Sequence, residues 1–309
     1  MSDGNFVIHP DMHELLEAKK ALPKSTDPEV LRKAWADYGA RLQRPYPAGM
    51  EVVDDRFRGV GVRIYRPAGI SRSGPVVLYL HGGAFVKGSL DSGDAIAWGI
   101  ADTCRMVVVS VDYRLAPDHP YPAALEDCHA VLVHCHEQGA ALGVDGRQIG
   151  VWGDSAGGNL AAALCLYARD RGGPAIAAQA LNYPCLTDVL DAPAYTDYAD
   201  SPGLRTADMD RNWSLYLAGK RPTASPYAAP LRAPDLSRLP PAHVHIAEID
   251  PLADDGRQYA RRLEEAGNEV AFSCAEGMIH GYLRARFTGP AAAAEFRKPC
   301  DFLMRYLKA

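Results

Sequence analysis

The sequence predicts an α/β sandwich around a mostly parallel sheet. Three observations carry this. Strand-like and helix-like segments alternate over about 200 residues. Three strand segments are apolar runs with few breaks, 75–80 (PVVLYL), 106–111 (MVVVSV) and 148–152 (QIGVW), as suits strands covered on both faces. The 309 residues are 48% hydrophobic and 23% charged, too apolar for disorder and numerous enough for a large core.

Residues 1–45 read as helices. Leu15, Leu16, Leu31, Trp35 and Tyr38 sit among charged residues, and Pro28 after Asp27 marks a helix start. Strand character begins near Glu51, and 61–65 alternates through Val62 and Ile64. After the strands at 75–80 and 106–111, residues 123–137 place Leu125, Val131, Leu132 and Cys135 at helical spacing behind Pro122. The strand at 148–152 runs toward an Ala- and Leu-rich helix over 156–169. Further strands are expected at 176–182, 242–249 and 269–274. Helices are expected at 254–266, ended by Gly267, and at 291–307.

One stretch breaks the rhythm. Residues 186–225 exceed a usual connection of about 2–6 residues and hold a helix candidate at 207–217 with Trp213 and Tyr216. The expected organisation is therefore N-terminal helices (1–45) that join an insertion (186–225) as a lid. The catalytic domain would span 46–185 and 226–309.

Thirty-three basic and thirty-eight acidic residues leave a net charge of −5. Neither nucleic acid nor an anionic membrane is an expected partner. No run approaches the ~20 apolar residues of a membrane span, and the N-terminus has no secretory pattern. The cytoplasm is the expected location. The seven cysteines form no CxxC pair and read as reduced thiols. The cluster Cys128, His129, His134, Cys135 and His136 matches no usual zinc spacing. No metal or cofactor is expected.

The chemistry concentrates in a few motifs. Gly153-Asp154-Ser155-Ala156-Gly157 stands between a predicted strand and a predicted helix, the context of a nucleophile elbow. There a serine hydroxyl meets the free N–H groups of a helix N-terminus. His81-Gly82-Gly83 follows the 75–80 strand directly. Adjacent glycines let backbone amides approach a developing oxyanion, so Gly82, Gly83 and Ala156 are the expected donors. A serine nucleophile needs a base and the base an orienting acid, in the chain order Ser, acid, His. Only His280 follows every plausible acid. Asp250, at a strand end, is the chosen acid over Asp254 and Asp255, which read as helix N-terminal residues, and over Asp188 and Asp191 in the insertion. Phe85, Trp213 and Tyr216 are expected to line an apolar cleft for short acyl or aryl groups.

These residues fall within longer stretches: HGGAFVKGSLDSGD (81–94), DYRLAPDHPYPAALED (112–127), GDSAGGNLAAAL (153–164), SPYAAPL (225–231), LPPAHVHIAEIDPLADDG (239–256) and MIHGY (278–282). Together they resemble the hormone-sensitive lipase family of α/β-hydrolases, in its bacterial esterase branch. The resemblance implies an eight-stranded α/β-hydrolase sheet with a helical cap. It implies a serine carboxylesterase with Ser155 as nucleophile, His280 as base and Asp250 as acid, and a bracing role for 112–127. Ala84 stands where that family often has a third glycine, Asp118 where it has glutamate, and Tyr282 where it has phenylalanine. The same chemistry on an amide, carbamate or lactone, and a ligand-binding receptor on this fold, are the alternatives; His280 disfavours the receptor. The 269–274 strand is expected at a sheet edge, where it would pair with a second copy.

Overall fold

The computed structural model describes residues 2–3, 6–23 and 25–308. Eight strands form one sheet: β1 (Glu51–Phe57), β2 (Val60–Arg66), β3 (Gly74–Leu80), β4 (Val107–Asp112), β5 (Val144–Asp154), β6 (Ala178–Asn182), β7 (Ala242–Ile249) and β8 (Val270–Ile279). Their spatial order is β8-β7-β6-β5-β3-β4-β2-β1. Only β2 runs against its neighbours β1 and β4; the other pairings are parallel.

The apolar run of β3 serves two cores at once. Val76, Leu78 and Leu80 face one side, with Leu125 and Leu132 of helix α4 (Ala123–Glu137) and Leu160 and Leu164 of helix α6 (Ala156–Asp170). Val77 and Tyr79 face the other, with Ile96 and Ile100 of helix α3 (Leu90–Cys104) and Phe296 and Leu303 of helix α10 (Pro290–Tyr306). Alternation along a strand with both faces covered removes the polar positions that a half-exposed strand would show.

Helices α1 (His13–Lys20) and α2 (Pro28–Arg41) occupy the N-terminal stretch, α2 starting where Asp27 accepts the Glu29 N–H. A single turn, α5 (Gly139–Leu142), precedes β5. The stretch between β6 and β7 holds α7 (Pro193–Asp197) and α8 (Thr206–Tyr216), and α9 (Ala253–Glu265) follows β7. Helix α3 separates β3 from β4, where the alternation predicts a helical segment without bounds. Its signal is a reciprocal cap between Ser89 and Ser92. Strand β8 runs on to Ile279, five residues beyond the expected end, and lies at the sheet edge. No helix among the described residues is long and apolar enough to cross a membrane.

Candidate active site

Strand β5 delivers Ser155 at its end, and α6 begins one residue later. The serine backbone is held at φ 57° and ψ −119°, a strained conformation of the order of 1–3 kcal/mol that surrounding structure must enforce. Its N–H donates to the Asn182 carbonyl at 2.9 Å. The glycines beside it are packing requirements. A Cβ on Gly157 would collide with the Leu80 carbonyl, and one on Gly153 with the Gly157 carbonyl. Gly157→Ala is therefore expected to abolish soluble, folded protein, because the obstacle is backbone of the central strand. Size-exclusion profiles of the expressed variant check this; a normal monomer or oligomer peak with full activity would refute it.

His280 follows β8 at once. Its Nε2 lies 2.8 Å from Ser155 Oγ, and its Nδ1 2.7 Å from Asp250 Oδ2. Asp250 follows β7 directly, is fully buried, and accepts the Leu252 N–H on its other oxygen at 3.0 Å. Tyr183 sets its ring edge-on to the imidazole, with centroids 4.8 Å apart. Three residues far apart in sequence thus form one hydrogen-bonded chain.

The competing groups have other work. Asp255 accepts the N–H groups of Leu186 and Thr187 and the Tyr195 hydroxyl. Asp254 holds the Ala194 N–H. Both carboxylates therefore pin the segment between β6 and β7. Asp188 binds Arg232 and the Thr223 N–H. Burial pushes His81 down to about 4 and His243 down to about 3, so both are neutral at pH 7. His245 bonds Glu295 and Tyr282.

Residues 112–127 brace the loop after β3. Arg114 makes a forked pair with Asp127, the Tyr113 hydroxyl donates to the His81 carbonyl at 2.6 Å, and the Ala116 N–H donates to the Phe85 carbonyl. Arg32 of α2 grips the same region. It donates to the carbonyls of Val86 and Ala116, at 3.0 and 2.9 Å, and to Asp118.

A cavity of about 680 Å³ opens over Ser155 and His280. Its walls come from α1, α2, the loop after β3 and residues 200–212. A family described as alpha/beta hydrolase fold matches residues 77–284. The chain belongs to the α/β-hydrolase fold family. Carboxylesterase NlhH of Mycobacterium tuberculosis is 42% identical over 258 residues, 82% of this chain and 81% of that protein. An arylesterase of Saccharolobus solfataricus is 37% identical over 223 residues, 72% of each chain. A thermostable esterase from Pseudomonas putida has a crystal structure similar to this one, with a TM-score of 0.92 at 31% identity, covering 99% of this chain and 100% of the other.

Two placements within this α/β-hydrolase differ from the sequence expectation. The Gly82 N–H is not free: it donates to Asp154 Oδ1 at 2.9 Å, an oxygen that also accepts the Tyr79 hydroxyl at 2.8 Å. Among the described residues, no group accepts from the N–H of Gly83 or Ala84. The Ala156 N–H belongs to the first turn of α6, where helices leave donors unpaired. The free donors are therefore displaced one residue along the loop, to Gly83, Ala84 and Ala156. Adjacent glycines could not signal this, because the carboxylate that occupies Gly82 sits 72 residues away. The second difference concerns Phe85, Trp213 and Tyr216. They are buried and packed on one another, Phe85 stacking on Tyr216 at 3.8 Å. They do not line the cavity, whose aromatic walls are Trp35, Tyr38 and Tyr183. The apolar character that suggested a cleft instead fastens α8 to the loop after β3.

Proposed function

We propose that this chain is a serine carboxylesterase of the hormone-sensitive lipase type, hydrolysing short-chain acyl or aryl esters through an acyl-enzyme. The observation that carries the reading is the unbroken Ser155–His280–Asp250 relay beside three unpaired backbone donors. His280 Nε2 takes the Ser155 proton as Oγ attacks the ester carbonyl. The N–H groups of Gly83, Ala84 and Ala156 hold the oxyanion, each worth about 10²–10³ in rate. Asp250 fixes the imidazole with its proton on Nδ1 and stabilises the cation formed. The imidazolium then protonates the leaving alcohol, and water repeats the sequence on the acyl-enzyme. The helices α1 and α2, with the segment between β6 and β7, act as the cap. The names of the relatives, carboxylesterase and arylesterase, support the class of bond.

All seven cysteines are unpaired, which supports a reducing, cytoplasmic setting. The exposed edge of β8 supports a homodimer that pairs through it.

A series of p-nitrophenyl esters from acetate to decanoate, run beside matched p-nitroanilides, tests the reading. The short esters are expected to react fastest and every ester to outpace its anilide. A faster anilide would reassign the bond. Binding of small acids with no release of p-nitrophenol would replace the enzyme by a receptor.

A further inference from the structure

Hydrolysis of a neutral ester asks its cavity for no positive charge, yet five lysine and arginine side chains line this one, and three of them stand apart from Arg205 and Arg211, which pair with Asp208. Lys19 comes from α1, Lys87 from the loop after β3, and Arg284 from the turn after His280; all line the cavity with Ser155. Each is held by neutral groups. Lys19 Nζ donates to the Gly203 carbonyl. Lys87 Nζ stands 4.6 Å from the Trp35 ring centroid. Arg284 donates from Nη1 to the Ser92 carbonyl and lies 5.5 Å from Trp35 and 5.8 Å from Tyr38. Its side chain is buried, and Nη2 has no hydrogen-bond partner.

The acids that share the cavity wall act on them at a distance, Asp154 favouring the charged form of Arg284 and Asp208 that of Lys87, but among the described residues none forms a direct ion pair with Lys19, Lys87 or Arg284. Asp208 pairs with Arg205 and Arg211. Asp154 Oδ1 is occupied by Tyr79 and Gly82, and Asp200 is exposed. Burial, with repulsion from Lys87 and Arg284, pushes Lys19 down to about 7, and burial pushes Lys87 down to about 8 against the pull of Asp208. Withdrawing a cation from water without a direct ion-pair partner is costly. Three such cations from three separate segments, with an unmatched guanidinium nitrogen among them, make a built anion site rather than a solvated face.

We propose that, granted the esterase reading, the substrate carries a free carboxylate besides the scissile ester, and that Lys19, Lys87 and Arg284 bind it. The substrate class is then a half-ester of a dicarboxylic acid, or an ester of a hydroxy acid. The carboxylate supplies the direct ion-pair partner that these three side chains lack among the described residues and fixes which end of the molecule enters first.

The test uses two pairs that differ by a methyl group in place of a carboxylate. Monoethyl adipate against ethyl hexanoate puts the charge on the acyl side. 4-Acetoxybutanoate against butyl acetate puts it on the alcohol side. Rates are followed by pH-stat. The carboxylate member of at least one pair is expected to show a kcat/KM at least tenfold higher. Lys87→Met and Lys19→Met, changes on different segments, are each expected to lower that ratio about tenfold, and Lys87→Arg to retain it. Turnover of the neutral ester reports that a variant is folded. A wild-type ratio at or below one in both pairs overturns the proposal, as does a ratio that neither methionine variant changes. Absence of turnover on all four esters removes the esterase reading itself, and the carboxylate site with it.

Discussion

Ser155→Ala is expected to lower kcat by about 10⁶, the loss found when a serine nucleophile is removed from such a relay, while the thermal midpoint stays nearly unchanged. The side chain makes one hydrogen bond, to His280 Nε2. The contact that anchors the elbow belongs to the backbone, from the Ser155 N–H to the Asn182 carbonyl, and alanine keeps it. The strained φ of 57° is equally unfavourable for serine and alanine, so the substitution adds no new strain. Stopped-flow release of p-nitrophenol with calorimetry in parallel gives both numbers. Turnover within a hundredfold of wild type would remove Ser155 from the mechanism.

Asp250→Asn is expected to cost about 10⁴ in kcat with the fold intact. The reason lies in the second oxygen of the carboxyl group. Oδ1 accepts the Leu252 N–H at 3.0 Å, and an asparagine in this place keeps its oxygen there. Its NH₂ then faces His280 Nδ1, which must act as acceptor. The ring proton moves to Nε2 and points at Ser155, so the imidazole can no longer take the serine proton. Asp255→Asn is the control. It disturbs the hydrogen bonds to Leu186, Thr187 and Tyr195 and is expected to lower stability more than kcat. An active Asp250→Asn beside an inactive Asp255→Asn would mean that the acid had been chosen wrongly.

What was readable in the amino-acid order follows a physical division. Local grammar was readable: the boundaries 123–137 and 242–249 agree with α4 and β7, because proline, apolar period and β-branched runs act within a few residues. The elbow and the histidine were readable because their motifs are local as well. Helix α3 carries its start in Ser89 and Ser92, but Gly93 and Gly99 within it are poor helix formers and blur its bounds. The donor shift from Gly82 to Ala84 depends on Asp154 and Tyr79, and the burial of Phe85 on Tyr216. Both are tertiary pairings with no trace in local spacing. The three cavity cations were invisible for the same reason, since lysine in α1 and in a loop reads as ordinary surface.

Arg32 has a consequence for engineering. A residue of the helical cover holds, by its guanidinium, the carbonyls of Val86 and Ala116, a few positions from the free amides of Gly83 and Ala84. Helix α2 and the loop after β3 are thus one mechanical piece. A chimera that borrowed the first 45 residues from another esterase to change selectivity would also retune the turnover number, unless its donor brought an arginine with the same reach.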